Sequence, residues 1–194
     1  NWKIEPIMSL KTGYSFKSVE ARLPHVTVGV DAGMFRGADH FAIQSAVHYV
    51  AGMGGGQVEI LPGRYELRNT IFLPDGVTLR GSGEQTTLVK APSQTIALAE
   101  DCDGCRWYVD FERSAGFSVG DGITISSDAI DGAQGQQFTI HTIVAIESNR
   151  IYLDSLPGQA HWVAENAVVS SVHSMLEIRD AQNVVISDIS LLGN

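Results

Sequence analysis

The residues of this chain that could do chemistry are few and scattered. Asp101 and Asp103 stand two apart in Asp101-Cys102-Asp103-Gly104-Cys105, and their oxygens could chelate Ca2+. Asp101 could instead pair with Asp180 or Asp188 as acid and base, since glycosidic hydrolysis needs two carboxylates about 5–9 Å apart across the bond. Against both stands the turn-forming habit of Asp, which hydrogen-bonds its own backbone between strands; no spacing fixes these carboxylates relative to one another. Gly120-Asp121-Gly122 reads in the same way as a hairpin turn before it reads as a metal loop. No helix follows it to offer an N-terminus to an anion.

Aromatic residues give the better binding signal. Trp107, Tyr108, His161 and Trp162 combine rings with polar donors, which suits the apolar faces of sugars. The competing reading is that Trp107 and Trp162 fill a junction between two packed units. Arg64 and Arg80, with Arg68, fall at turns between short strands and could meet uronate or sulfate groups, although scattered arginines are also what a solvated face carries. None of the six histidines stands beside a Ser or Cys in a nucleophile arrangement. A redox role for Cys102 and Cys105 requires a helix, whereas Arg106-Trp107-Tyr108-Val109-Asp110-Phe111 alternates like a strand. Zinc requires two further ligands at suitable spacing. A structural role and a local disulfide both remain open for the pair.

The 194 residues, 44% of them hydrophobic, suffice for one core, or one core and an inserted module. Thirteen basic residues against 22 acidic ones give a net charge of −9 without a Lys/Arg cluster, so nucleic acid is not an expected partner. No apolar run approaches the roughly 18 residues that span a membrane.

The elements that must position these residues are short. From Asp39, an N-cap candidate, Ile43, Ala46, Val47 and Val50 recur at i, i+3, i+4 and i+7, one face of an amphipathic helix that ends at Gly54-Gly55-Gly56. Strands follow at 58–61, 70–73 and 77–79, with 87–89 and 95–98 opening the next turn. A repeat of about 20 residues is that of a solenoid, in which a helix can cover the first coil's open cross-section. Val58, Ile60, Ile71, Leu73, Val77, Leu79, Leu88 and Ile96 are the expected inward positions. After Asp101 the texture changes. Segments 117–119, 123–125, 138–140, 143–146 and 151–153 alternate between turns, which predicts antiparallel hairpins, and the coil pattern returns at 174–178 and 183–191.

Four motifs in order, Asp39-His40-Phe41-Ala42-Ile43-Gln44-Ser45-Ala46-Val47, Gly54-Gly55-Gly56-Gln57-Val58, Leu61-Pro62-Gly63-Arg64-Tyr65 and Gly76-Val77-Thr78-Leu79-Arg80-Gly81-Ser82-Gly83, resemble the N-terminal signature of the pectate-lyase superfamily over residues 28–88. Val119-Gly120-Asp121-Gly122 and Leu191-Leu192-Gly193-Asn194 resemble the start and return of a barrel inserted in some bacterial members. The resemblance implies an all-β fold: a right-handed parallel β-helix of few coils, with an N-terminal capping helix and an inserted small antiparallel barrel-like module. The expected division is 1–105 for the cap and first coils, 106–172 for the module and 173–194 for the return.

Its functional implication is the N-terminal portion of a secreted or cell-surface carbohydrate-active protein, of the polysaccharide lyase or glycoside hydrolase kind, without a complete active site in these residues. The alternative is a structural or adhesive β-helix, including a phage tailspike segment, because fold does not choose among these. Whether the chain is an enzyme is left open. Polysaccharide is the expected partner, with self-association through the C-terminal coil, whose edge offers unpaired backbone groups. No cofactor is demanded, Ca2+ being the one that Asp101 and Asp103 could hold.

Overall fold

A computed structural model describes residues 23–111, 116–128, 137–171 and 173–193; the expected lead-in before Leu23 lies outside them. The first part of the chain forms β1 (His25–Gly29), β2 (Phe35–Arg36), α1 (His40–Gly52), β3 (Gly56–Ile60), β4 (Gly63–Leu67), β5 (Ile71–Phe72) and β6 (Val77–Lys90). Every strand pairing here is parallel. β3 lies on β1 through Val26 and Val58, while the long β6 runs beside β3 with its first half and beside β4 with its second, Gln57 meeting Thr78 and Tyr65 meeting Leu88. The chain therefore stacks upon itself, one circuit above the previous one.

Seven of the eight expected inward positions, from Val58 to Leu88, are in a single core with Val26, Val28 and Leu67. Each fully buried aliphatic side chain there stabilises the fold by about 1.5–3 kcal/mol. Buried Tyr65 keeps its hydroxyl satisfied by donating to the Leu61 carbonyl at 2.9 Å.

Helix α1 begins where expected. Asp39 Oδ1 accepts the Ala42 N–H at 3.1 Å, filling one of the orphan donors of a first turn. Its buried face is His40, Ala42, Ile43, Ala46, Val47 and Val50, and it packs against β1 through β6. One end of the coil stack is thereby shielded from water.

The chain then leaves the stack. β7 (Thr95–Ala97), β8 (Tyr108–Asp110), β9 (Gly122–Ser127), β10 (Gln137–Glu147), β11 (Arg150–Leu153) and β12 (Val168–Ser170) pair antiparallel in the order β7-β12-β9-β10-β11-β8. The two outer strands meet through a bridge between Leu98 and Phe111 and through the Ala99 N–H on the Asp110 carbonyl at 2.8 Å. The sheet closes around a second core that includes Leu98, Phe111, Ile123, Ile125, Ile143, Ile151 and Val169, and closure removes the edges that a small sheet otherwise exposes.

Three expectations need correcting here. Residues 95–98 do not open another coil: β7 belongs to the closed sheet because its partner β12 lies there, so the module starts ahead of Arg106, and Ile96 packs on the second core. Residues 117–119 are a loop and turn rather than a strand, since Phe117 is spent in the core. Segments 138–140 and 143–146 are one strand, β10, with its register shifted between Ile143 and Ala145, as a bulge permits.

Beyond the closed sheet the chain pairs with the first strands again. β13 (Leu176–Glu177) lies parallel on β5 and β14 (Val185–Leu192) on β6. At the corner of β6, a Cβ on Gly81 would lie 2.3 Å from the Asp188 carbonyl oxygen, so only glycine lets β14 approach. The whole is mostly β with one helix: stacked parallel strands and a closed antiparallel sheet inserted between two sides of one circuit.

Candidate functional site

The turn Gly120-Asp121-Gly122 is the joint between the two bodies. Arg68, just after β4, forks onto Asp121, Nε to Oδ1 at 2.7 Å and Nη2 to Oδ2 at 2.7 Å, and the Asp121 side chain is only 3% exposed. Hydrogen bonding to Asp121 raises the pKa of the Arg68 guanidinium. The Ser118 N–H adds a third bond to the carboxylate at 2.8 Å, and the Arg68 carbonyl accepts the Gly122 N–H at 2.8 Å. Asn69 Nδ2 donates to the Gly120 carbonyl and to Thr142 Oγ1 at 3.1 and 3.0 Å. His40 Nε2 reaches the same carbonyl at 3.2 Å. The turn is not the expected hairpin, because no strand precedes it at 117–119; it is held by partners from the coil stack.

The aromatic candidates do not form one binding platform. His161 is fully buried, with Ser127 Oγ 3.1 Å from Nδ1 and Thr139 Oγ1 3.4 Å from Nε2, because its position on the inner side of the module leaves it no route to a ligand. Tyr108 has one face taken by the Arg150 guanidinium, 3.8 Å from the ring centroid. Arg150 is in turn forked to Asp110 at 2.8 and 3.0 Å. Trp107 and Trp162 stay exposed, so neither fills the junction.

The acidic candidates serve loops. Asp101 Oδ1 accepts the Val163 N–H at 2.8 Å, and Asp103 Oδ1 accepts the Cys105 N–H at 2.9 Å with Arg106 Nε 3.5 Å from its other oxygen. Among the described residues no group of three or more His, Cys, Asp or Glu is placed to hold a metal ion. Asp180 and Asp188 have left-handed backbone, Asp188 at the irregularity within β14, and Asp188 pairs with Arg80 at 3.1 Å. Arg64 points to solvent from β4. Cys102 is a buried free thiol, its pKa raised by burial, and Cys105 an exposed one.

A different set of residues converges. The pleat of β10 turns Phe138 and Ile140 outward, 59% and 52% exposed, toward the side of the coil stack built by β5 and β13. Two depressions of about 430 and 520 Å3 meet at this pair, each within the ~300–1,000 Å3 usual for ligand sites. The first is walled by Phe72, Glu177 and Arg179 from the stack and by Thr142 and Asp154 from the module. The second is lined by Thr124, Ser126, Ser170, His173 and Ser174.

The walls are held by local bonds. Gln44 of α1 accepts the Phe72 N–H at 2.8 Å and donates to its carbonyl at 3.1 Å, and Glu177 lies beside Phe72 in parallel register, paired with Arg179. Asp154 Oδ1 accepts the Thr142 N–H at 3.0 Å. Alternation along 138–140 announces the outward pair, but its facing wall is contributed by residues far away in sequence.

No protein-family model matches this chain, and no curated protein sequence does. Among solved structures it is similar to the tailspike of Pseudomonas phage phi297, with TM-score 0.40 and 10% identity over 76% of this chain and 29% of that one. It is also similar to the tailspike of Acinetobacter baumannii bacteriophage AP22, solved in complex with A. baumannii capsular saccharide, with TM-score 0.40, 12% identity and coverage of 78% and 28%. A third is the tailspike of Pseudomonas phage LKA1, at 0.35, 17%, 71% and 26%. The chain spans less than a third of the length of each.

Charge in the cleft follows from its neighbours. Burial pushes the pKa of His141 and His173 down, so both rings are neutral at pH 7. That leaves Asp154 and Glu177 negative and Arg179 positive on the walls of the first depression.

Proposed function

We propose that this chain is a polysaccharide-binding portion of an extracellular or cell-surface β-helix protein, its stacked strands being coils of a right-handed parallel β-helix capped by α1. The module and the side of the coil stack built by β5 and β13 together hold the glycan. The observation that carries this reading is the cleft itself, in which exposed Phe138 and Phe72 share one depression with Thr142, Asp154 and Glu177. Rings that cover the apolar faces of sugars, beside groups that accept from their hydroxyls, are what carbohydrate recognition requires. The sequence resemblance supports the helix handedness and the location.

Binding rather than bond cleavage is the role assigned to these residues. Glu177 is occupied by Arg179 and Asp154 by the Thr142 N–H, so both carboxylates are fixed as parts of the wall. Affinity electrophoresis in gels containing polysaccharides tests the reading: the chain should be retarded. Phe138→Ala, at an exposed position, should weaken retention about tenfold, or ~1.4 kcal/mol. Unchanged retention in Phe138→Ala would place any glycan elsewhere.

A further inference from the structure

We infer that the cleft selects an uncharged glycan and discriminates against polyuronates. This rests on the proposed binding role and narrows its ligand. The first depression carries two carboxylates and one guanidinium, and the guanidinium is already paired with Glu177. The ring beside Asp154 is His141, 3.6 Å away and kept neutral by burial, so the wall is net negative. The second depression is lined by hydroxyls and by His173, whose ring burial keeps neutral.

Neighbouring cations do not reverse the balance. Arg68 is committed to Asp121 and Arg80, on the stack, to Asp188, while Lys90 acts on His173 from outside the lining of either depression. The chain as a whole carries −9. A polyuronate would set carboxylates against Asp154 and Glu177, where like charges in a partly desolvated cleft repel. A neutral chain offers hydroxyl donors to the same oxygens and ring faces to Phe138 and Phe72. Arg64 and Arg80, expected to meet uronates, line neither depression.

The test compares the 194-residue chain with four probes, neutral galactomannan and β-glucan against polygalacturonate and alginate, by isothermal titration at low and at raised salt. The expected result is binding of at least one neutral probe, insensitive to salt, with polyuronate binding at least tenfold weaker and strengthening as salt screens the repulsion. Asp154→Asn should narrow that gap. Tighter binding of a polyuronate, lost in Phe138→Ala, would overturn the inference and leave the binding site standing. Binding of none of the four would count against both readings, and neutral binding unaffected by Phe138→Ala would overturn the site assignment for both.

Discussion

Arg68 and Asp121, 53 residues apart in sequence, meet fork to fork at 2.7 Å across the boundary between the coil stack and the inserted module. Each body has its own core, and this pair joins them together with the bonds of Asn69 and His40 to Gly120, of Asn69 to Thr142 and of the Gly122 N–H to the Arg68 carbonyl. Arg68→Ala leaves the buried carboxylate, among the described residues, with the Ser118 N–H alone. It should destabilise by about 3 kcal/mol, read as a lowered denaturant midpoint. Removing both charges should cost less than the sum of the two single changes, with a coupling of ~1–3 kcal/mol. Additive losses would show that the pair does not hold the joint.

Gly120 gives a second reading of the same joint. Its φ is +90° and an added Cβ would lie 2.0 Å from Cζ of the Phe41 ring. Gly120→Ala should therefore cost about 2–3 kcal/mol, part of it backbone strain of ~1–2 kcal/mol. Phe41→Ala in the same chain should return the steric part and leave the strain. A double-mutant cycle in thermal unfolding checks this, and strict additivity would mean that Phe41 does not press on the turn.

What was legible in the sequence was local. Asp39 with Ile43, Ala46, Val47 and Val50 announced α1 within a dozen residues, and the inward positions between Val58 and Leu88 follow a short alternation that burial alone enforces. Segments 123–125 and 151–153 were equally plain. The allegiance of β7 was not, because Thr95-Ile96-Ala97 alternates just as a coil strand does and only β12, far downstream, decides the pairing. The cleft was illegible for the same reason: Phe138 and Phe72 come together through two cores and a joint. The site candidates read from residue type, Trp107, Tyr108, His161 and Trp162, were guided by chemistry without placement.

The buried histidines make stability pH-dependent. Burial lowers the pKa of His141 and His161 from an ordinary 6.5, and His40 and His173 shift the same way. Below pH 6.5 the unfolded chain binds protons that the folded chain refuses, so stability is full above that value and falls as pH drops toward the lowered folded values. Asp154, 3.6 Å from His141 Nδ1, partly offsets the effect at that ring. Thermal midpoints should fall steadily from pH 7 to pH 5, and His161→Gln should make the slope shallower. A slope unchanged in that variant would mean that His161 is not held neutral inside the module.

The outer edge of β14 sets the last prediction. β6 carries β14 in parallel register as far as Leu192, and on its far side β14 pairs with no strand among the described residues. Val185, Ile186, Leu191 and Leu192 are exposed along it. An open strand with an aliphatic margin is a template for further pairing, and each earlier strand of this stack carries the next one on the same side. For the isolated 194-residue chain we propose a second copy at that place, β14 against β14 in antiparallel pairing about a two-fold axis; in a longer chain the following strand takes it. Sedimentation at micromolar concentration should show a monomer–dimer equilibrium. Leu191→Lys, which sets a charge in the margin without touching the core, should shift it to monomer by at least tenfold. A parent chain that stays strictly monomeric, or a dimer indifferent to Leu191→Lys, would show that this edge is not the contact.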